Sequence, residues 1–338
     1  MVRLSAVLLA LSSVLAGCAT AQSPETSEPV ASTDVTGTLF VANKRGNTLS
    51  KVDLETGKEV LRRDSCTNPH ELATSPDGKH VALACYGGTT VDVFKAGDLS
   101  KVTSIDLGES ARPHGIVWHA NGDLYATAEG RQSIFWIRDP LGSAETFEYS
   151  TGKQGSHMLV VDPTGTVAWT TDLGSKTATR VALKARIAPI SVSVGTEPEG
   201  ISLSPDGKAL WVSARGSNQA FELDPVTMRV RNTVATGAFP LRLAIRPQGD
   251  VAVTSDLQDG GLTVIDLNTA KVIRSIAVSS PEEAQERFQV TILWSDDGTR
   301  IYVAETASDT IAEVDYASGT VLRRIKVGKG GDGLAILP

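Results

Sequence analysis

A phrase of about fifteen residues recurs six times along the chain and constrains its fold more than any other feature. Each copy is an apolar run, a tight turn that ends in glycine, and a second apolar run, as in ELATSPDGKHVALAC at 71–85 and GISLSPDGKALWVSA at 200–214. The turn glycines follow one another at steps of 44, 43, 42, 42 and 49 residues: Gly78, Gly122, Gly165, Gly207, Gly249 and Gly298. A period of about 40 to 50 residues with short strands predicts a propeller or a solenoid.

A seventh copy is divided between the two ends of the chain. The last six residues, GLAILP at 333–338, match the first half of the phrase, and GTLFVAN from Gly37 matches the second half. Joining the halves restores a complete unit, so the repeat closes into a ring with one blade built from both ends. Each unit has room for four short strands rich in Val, Ile, Leu and Thr. We therefore predict an all-β, seven-bladed propeller of four-stranded blades over residues 37–338.

One short segment departs from the strand pattern. In SPEEAQERF at 280–288, Ser280 is a candidate N-cap, Pro281 takes the first helical position and Glu283 completes a capping box. The pattern predicts one helical turn here. As an insertion, it explains the step of 49 residues between Gly249 and Gly298.

Two phrases carry a family resemblance: LFVANKRGNTLSKVDLETGKEV at 39–60 and ARPHGIVW at 111–118. They resemble the YVTN β-propeller repeat of YncE-like and surface-layer-associated bacterial proteins, from about Gly37 to the C-terminal residue. The resemblance implies the propeller fold, but the family includes binding proteins as well as relatives of propeller lactonases and lyases. The chain departs from the pattern at 240–242, where Pro-Leu-Arg stands in place of the usual Pro-His-Gly.

The N-terminus predicts export. Arg3 is followed by an apolar stretch at 4–15 and by Leu-Ala-Gly-Cys at 15–18, with no acidic residue before the cysteine. The run resembles the bacterial lipobox, which implies a signal peptide at 1–17 and a lipid on the sulfur of Cys18. The alternatives are an ordinary signal peptide or a membrane helix, for which the apolar run is too short.

The segment after this cysteine bears on the location of the protein, and the composition limits the partners that it can bind. Residues 18–36 are a polar Ser/Thr/Pro tether. By analogy with the sorting of Gram-negative lipoproteins, Ala19 in place of aspartate implies that a lipid-anchored envelope protein goes to the outer membrane. The net charge of −7 argues against nucleic acid, whose binding depends on clustered Lys and Arg. We expect a monomer that contacts the membrane through its anchor and binds a small molecule or another envelope protein.

Two further cysteines, Cys66 and Cys85, flank the first turn of the repeat. Pairing across the turn at 76–78 would place Cys85 roughly opposite His70, with Cys66 in the loop just before it. In an oxidising compartment a disulfide is the expected state. Two free thiols or two thiolate metal ligands are the alternatives.

The candidate chemistry lies at one position of the repeat, eight residues before each turn glycine. In a propeller this position begins the innermost strand, at the mouth of the central channel, so its occupants form a ring: His70, His114, His157, Glu199, Leu241, Val290 and, in the divided copy, Asp332. Imidazole and carboxylate are the ligands of borderline divalent metals such as zinc, copper or manganese. We predict that His70, His114, His157 and Glu199 hold such an ion. The alternatives are a repeated framework in which each imidazole bonds a neighbouring carbonyl or water, and a surface that only faces a protein partner.

A second ring is predicted on the same face, at the end of each second strand. Its members are Lys44, Tyr86, Glu129, Asp172, Arg215, Asp256 and Thr306. They would surround the mouth with acids, bases and anion clamps. The candidates for ligand binding are Tyr86, Arg215, Asp256 and Asp332. The catalytic candidates are Glu129, Asp172, Glu199 and Arg242, whose guanidinium could bind a carboxylate.

Two classes of function follow from these residues. The first, which we favour, is an envelope protein that binds a small molecule, a metal ion or a protein partner at the channel mouth. The second is a metal-assisted hydrolase or lyase, similar to the propeller lactonases and lyases, in which Glu199, Glu129 or Asp172 moves the proton. The sequence has no G-x-S-x-G, H-E-x-x-H, C-x-x-C or P-loop motif, and the G-x-G-x-x-G at 328–333 precedes no helix pattern.

Overall fold

The structure, a computed structural model, describes residues 35–185 and 187–338. These residues form seven four-stranded antiparallel sheets, which confirms the predicted all-β, seven-bladed propeller. The predicted signal peptide, Cys18 and the tether as far as residue 34 lie outside the described residues. Within the described part of the chain, no helix has the length and apolar character needed to cross a membrane.

Each blade is a meander whose first strand is nearest the channel. Blade 1 takes that strand from the end of the chain and comprises β28 (Gly331–Leu337), β1 (Thr38–Asn43), β2 (Thr48–Asp53) and β3 (Lys58–Asp64). Blade 2 comprises β4 (Pro69–Thr74), β5 (His80–Cys85), β6 (Thr90–Lys95) and β7 (Lys101–Asp106). Blade 3 comprises β8 (Pro113–Trp118), β9 (Leu124–Ala128), β10 (Ser133–Arg138) and β11 (Glu145–Ser150).

The same order continues through the second half of the ring. Blade 4 comprises β12 (Ser156–Val161), β13 (Val167–Asp172), β14 (Thr177–Ala182) and β15 (Ile190–Ser193). Blade 5 comprises β16 (Pro198–Leu203), β17 (Leu210–Ala214), β18 (Gln219–Leu223) and β19 (Val230–Ala235). Blade 6 comprises β20 (Pro240–Ile245), β21 (Val251–Asp256), β22 (Gly261–Asp266) and β23 (Lys271–Ala277). Blade 7 comprises β24 (Gln289–Trp294), β25 (Arg300–Glu305), β26 (Thr310–Asp315) and β27 (Thr320–Lys326).

The ring closes by pairing the two ends of the described chain. Strand β1 pairs antiparallel with β28, with Leu39 opposite Ile336 and Phe40 opposite Ala335. The innermost strands of successive blades contact one another around the circle, and β28 contacts both β24 and β4. The predicted division of one blade between both ends of the chain is therefore confirmed.

The apolar cores lie between neighbouring blades. One core joins blade 2 to blade 3 through residues such as Val91, Ile116 and Leu124. The second strands supply the largest fully buried side chains, namely Phe40, Tyr125, Trp211 and Tyr302. Burying a large apolar side chain stabilises the fold by about 1.5–3 kcal/mol. Packing between blades, together with contacts between successive inner strands, thus fixes the positions of the groups at the strand ends.

Among the described residues there is one α-helix, α1 (Pro281–Arg287), which is inserted between blades 6 and 7. Ser280 caps it: the Glu283 N–H donates to the Ser280 hydroxyl at 3.2 Å, and the Ser280 N–H donates to the Glu283 carboxylate at 3.1 Å. The predicted capping box and helical turn are therefore confirmed. The helix ends directly before β24, at the face of the propeller that carries the loops between blades.

Each inner strand of blades 2 to 7 begins with a bulge in its pairing to the second strand, as between Pro69 and Leu72. Bulges of this kind redirect side chains at strand ends. In blade 3 a Cβ on Gly115 would lie 2.9 Å from the carbonyl oxygen of His157. The missing side chain lets the inner strands of blades 3 and 4 approach closely, so that residues at their ends can meet.

Candidate functional site at the channel mouth

The ring predicted from the repeat is present at the channel mouth. Its members are the second residues of the seven inner strands, and all seven are buried: His70, His114, His157, Glu199, Leu241, Val290 and Asp332. The structure therefore brings the four predicted metal-binding residues together on blades 2 to 5.

The three histidines form a continuous stack. The ring centroids of His70 and His114 lie 4.6 Å apart, and those of His114 and His157 lie 3.6 Å apart. Tyr86 closes one end of the stack, with its centroid 4.3 Å from that of His70 and 5.4 Å from that of His114. Blades 2, 3 and 4 thus present one imidazole wall at the mouth.

Two of the three imidazoles are neutral near pH 7. Burial lowers the pKa of His70 to about 4. Burial, and then the neighbouring His157 and His70, hold the pKa of His114 well below its usual range. His70 Nδ1 lies 3.1 Å from the carbonyl oxygen of Asn68, which can only accept, so Nδ1 carries the proton and Nε2 keeps its lone pair. The Nδ1 atom of His114 is buried without a hydrogen-bond partner.

His157 is different because it lies between two carboxylates. Its Nε2 lies 3.4 Å from Glu199 Oε1, and its Nδ1 lies 3.8 Å from Glu129 Oε2. Burial alone would lower the pKa of His157, but the two glutamates outweigh burial and raise it. Both ring nitrogens nevertheless lack a well-formed hydrogen bond. His157 is therefore the member of the stack that carries a proton most readily.

A buried ion-pair network forms the floor of the mouth. The Arg242 guanidinium donates to Glu199 Oε1 and, at 2.8 Å, to Glu71 Oε1. Arg215 Nη1 lies 2.5 Å from the other oxygen of Glu199. Burial raises the pKa of Glu199, but Arg242, His157 and Arg215 more than offset it, so the pKa is held well below the usual range. Glu199 is thus an anionic anchor with two guanidinium partners.

Sequence reasoning missed Glu71, and it identified Arg242 without its partners. Glu71 follows His70 directly, inside the bulge at the start of β4. In a regular strand its side chain would point away from that of His70. A carboxylate next to a ring histidine was the available signal, but the bulge that brings it to the floor has no sequence signature.

Polar members of the second ring contact the first ring from above. Lys44 Nζ lies 3.1 Å from Asp332 Oδ2, Glu129 lies beside His157 at 3.8 Å, and Arg215 forms its ion pair with Glu199. The Arg112 guanidinium lies over the Tyr86 ring at 4.4 Å and donates to its hydroxyl. Burial raises the pKa of Tyr86 to about 12, so this phenol stays protonated.

Two predicted members of the second ring do not reach the mouth. Asp172 accepts hydrogen bonds from Ser156, Thr177 and Thr179 inside blade 4. Asp256 accepts from Thr254 and Thr263 inside blade 6. The prediction that Asp172 and Asp256 belong to the second ring was wrong, because the ring position is the next residue in each blade.

Strand alternation explains this correction. Asp172 and Asp256 lie opposite Ser156 and Pro240 in the register, as Cys85 lies opposite Pro69 in blade 2. The residues equivalent to Tyr86 are therefore the next ones, Leu173 and Leu257. Because side chains alternate between faces, an offset of one residue moves the carboxylates from the mouth into the blades.

A third ring was not predicted and forms the rim of the mouth. It consists of the residue just before each inner strand, and each has positive φ: Asn68, Arg112, Gly155, Glu197, Phe239, Phe288 and Gly330. In six blades its carbonyl accepts from the N–H of the second-ring residue above it, as Phe239 does from Leu257 at 3.1 Å. The rim is polar or glycine except on blades 6 and 7.

The donor atoms at the mouth are of the types that bind metal ions, but the present side-chain conformations do not bring three of them together. Within residues 35–185 and 187–338, three ligand atoms come within 4.8 Å of one another only at Cys66, Cys85 and Asp92. The two sulfurs there are joined in a disulfide, so that cluster is not a metal site. At the mouth, rotation about side-chain bonds would be needed to gather three donors on one ion.

The disulfide between Cys66 and Cys85 matches the pairing expected from the sequence. It joins the loop before β4 to the last residue of β5, with the Cα atoms 5.6 Å apart. Asn68 and Tyr86, which contact His70, lie next to this cross-link. The bond therefore braces the blade 2 side of the mouth.

Fold and site together define a seven-bladed β-propeller whose channel mouth is lined by ionisable side chains. The chain belongs to the YncE-like β-propeller family, whose model matches residues 1–338. Comparison with curated proteins gave no match.

Solved structures with low sequence identity share the fold. A protein of unknown function from Desulfotomaculum acetoxidans has a TM-score of 0.75 at 14% identity, over 89% of this chain and 99% of that one. The periplasmic gluconolactonase PpgL of Pseudomonas aeruginosa has a TM-score of 0.69 at 17% identity, over 90% and 99% of the two chains. A virginiamycin B lyase from Staphylococcus aureus has a TM-score of 0.64 at 16% identity, over 80% and 92%.

Proposed function

We propose that the protein is a binding protein of the cell envelope that holds a borderline divalent metal ion, such as zinc, copper or manganese, at the channel mouth. The observation that carries the proposal is the buried imidazole stack, in which His114 Nδ1 and both nitrogens of His157 lack hydrogen-bond partners. Buried nitrogens without partners are costly, and a metal ion would satisfy them.

The ligands of the proposed site differ from the first expectation in one position. His70 and His114 offer neutral nitrogens, the form that binds metal. Glu199, predicted as the fourth ligand, is engaged by two arginines. Glu129 Oε2 is buried without a hydrogen-bond partner and lies next to His157. We therefore assign Glu129 as the carboxylate ligand and Glu199 as the group that orients His157.

The envelope location in this proposal depends on the Leu-Ala-Gly-Cys at 15–18, with a lipid on Cys18. The disulfide between Cys66 and Cys85 supports export, because structural disulfides persist in oxidising compartments. Mass spectrometry of the protein from envelope fractions tests this part: a diacylglycerol adduct on an N-terminal Cys18 is expected, and an unmodified or uncleaved chain would contradict it.

The metal site is tested by titrating Zn²⁺, Cu²⁺ and Mn²⁺ into untagged protein lacking residues 1–34, and by elemental analysis of the protein as purified. We expect one ion per chain, and we expect His114→Ala to bind at least about tenfold more weakly, because loss of even an outer partner of a metal ligand costs about that much. His80→Ala is the matched control, because His80 lies outside the stack. If neither the parent nor this control binds any of the three ions, the stack is framework only.

A metal-assisted hydrolase or lyase is the second candidate. One observation favours it: His157 lies between Glu129 and Glu199 with a raised pKa, an arrangement suited to general acid catalysis. Lactonase and lyase structures share the fold, at identities that support fold alone. Hydrolysis of a lactone panel by the metal-loaded parent, abolished in His157→Gln, would select this candidate over simple binding.

A further inference from the structure

The mouth has two chemically different walls. The imidazole wall lies on blades 2 to 4. On blades 6 and 7 the equivalent first-ring positions are Leu241 and Val290, which pack with the second-ring Leu257 and the half-buried Phe239 into one apolar cluster. Leu241, Leu257 and Val290 are buried, so this cluster forms an apolar wall.

The rim above the apolar wall is also apolar. Phe239 and Phe288 hold the rim position on neighbouring blades, with φ of 63° and 53°. A bulky side chain at positive φ is uncommon, and Asn68 and Gly155 are the less strained occupants of the same position elsewhere. Phe288 ends the inserted helix and is 45% exposed. Positive φ is common to the whole rim, so what distinguishes blades 6 and 7 is the aromatic side chain at this position, half-buried at Phe239 and exposed at Phe288.

The floor limits how deep an occupant can reach. The side chains of Arg242 and Glu71 meet across the channel directly below the first ring. Above this floor, an occupant meets imidazole on one side and apolar surface on the other. A bare ion would leave the exposed Phe288 ring in water, and a purely apolar molecule would leave the imidazole nitrogens without partners.

We propose that the occupant of the mouth is a metal ion bound to an organic ligand with a flat apolar part. The ion binds the imidazole wall, and the apolar part packs on Phe239 and Phe288. This inference rests on the metal-binding function proposed above and specifies its ligand class. No bond within the ligand is made or broken.

The test compares two probes, Zn²⁺ alone and its equimolar complex with bipyridine, by isothermal titration into the protein lacking residues 1–34. Bipyridine leaves coordination positions of the ion open and supplies a flat apolar part. We expect the complex to bind at least about tenfold more tightly than Zn²⁺ alone, the gain expected for burying one aromatic face. Phe288→Ser should abolish this gain and leave the affinity for Zn²⁺ alone unchanged. Val226→Ser is the control, because Val226 is 68% exposed and lies outside the mouth.

The outcomes separate the two proposals. Equal affinity of the parent for Zn²⁺ and for the complex overturns the ligand class and leaves the metal site standing. Binding of the complex that His114→Ala does not weaken overturns both, because the ion is then not held by the stack. If the half-buried Phe239→Ser and the exposed Phe288→Ser both keep the full gain, the apolar wall is not the contact and the inference falls.

Discussion

Arg242 Nη2 lies 2.8 Å from Glu71 Oε1, although 171 residues separate them in the chain. The pair joins the inner strands of blades 6 and 2 across the channel, while the same guanidinium binds Glu199 on blade 5. Three separate blades are thus connected by one buried cation.

Arg242→Met should reduce the free energy of unfolding by about 3–5 kcal/mol, because it leaves two buried carboxylates without their cation. Glu71→Gln added to this variant should recover part of the loss. Urea denaturation of both variants tests this expectation. Arg231→Met, which breaks a partly exposed pair with Asp224, should cost below about 1 kcal/mol. Equal effects at both sites would show that the floor pair has no special role in stability.

Metal affinity should weaken as pH decreases, over a range set by the pKa of His157. Protons compete with metal for each imidazole, and the pKa of His157 is raised whereas that of His70 is about 4. Affinity for Zn²⁺ should therefore weaken already above pH 6.5, the usual value for histidine. In His157→Gln the weaker remaining site should keep its affinity down to about pH 5. A titration series from pH 5 to 8 measures both profiles, and identical profiles would argue against His157 as a ligand.

Reduction of the disulfide should destabilise blade 2. The bond between Cys66 and Cys85 spans 19 residues, and a loop of that size corresponds to about 3 kcal/mol of stabilisation. Thiol titration of the denatured, unreduced protein lacking Cys18 should find no free thiol. Cys66→Ser/Cys85→Ser should unfold at lower urea concentration than the oxidised parent and at the same concentration as the reduced parent. Two free thiols in the parent would contradict the cross-link.

Asp256 should make the protein less stable as pH rises toward neutrality. Burial raises the pKa of Asp256 to about 7, against 3.8 as the usual value for aspartate. A carboxyl with a raised pKa contributes stability while it is protonated, and that contribution is lost between about pH 4 and pH 7. Relative to Asp256→Asn, the parent should thus lose on the order of a few kcal/mol over this interval. Asp206→Asn, at an exposed turn, is the control and should leave the pH profile of the parent unchanged.

Deletion of residues 333–338 should abolish cooperative unfolding. It removes most of β28, the innermost strand of blade 1, and exposes the edge of β1. Differential scanning calorimetry should show a broad transition in place of a single peak. A truncated protein that melts like the intact one would contradict closure of the ring by this strand.

The repeat was sufficient to predict the fold and the first ring. Its glycine turns locate every hairpin between the first two strands, and a fixed count back from them reaches His70, His114 and His157 correctly. The second ring was harder because the hairpin turn differs in length. In blade 3 the turn closes from His119 to Asp123, one residue shorter than the turn from Ser75 to His80 in blade 2.

The remaining errors and omissions concern features below the level of the repeat. Because the turns differ in length, the spacing from turn glycine to second ring also differs between blades. The prediction placed Asp172 and Asp256 at the spacing of the shorter hairpin in blade 3, which is one residue too early in blades 4 and 6. The bulge that redirects Glu71 and the positive φ of Phe239 and Phe288 depend on packing between inner strands. No local sequence pattern encodes such packing, so the floor and the rim emerge only from the structure.

The closure of blade 1 also has a consequence for folding, because it joins strands from opposite ends of the described chain. Strand β1 precedes all other described strands in the sequence, whereas its partner β28 follows them all, so their contacts span almost the whole described chain. A chain that emerges from its N-terminal end can complete blades 2 to 7 while β1 still has an unpaired edge. Joining contacts this distant is slow, and an unpaired edge invites association with other chains. Folding yield should therefore be limited by the pairing of β28 with β1, which makes closure of blade 1 a kinetic bottleneck.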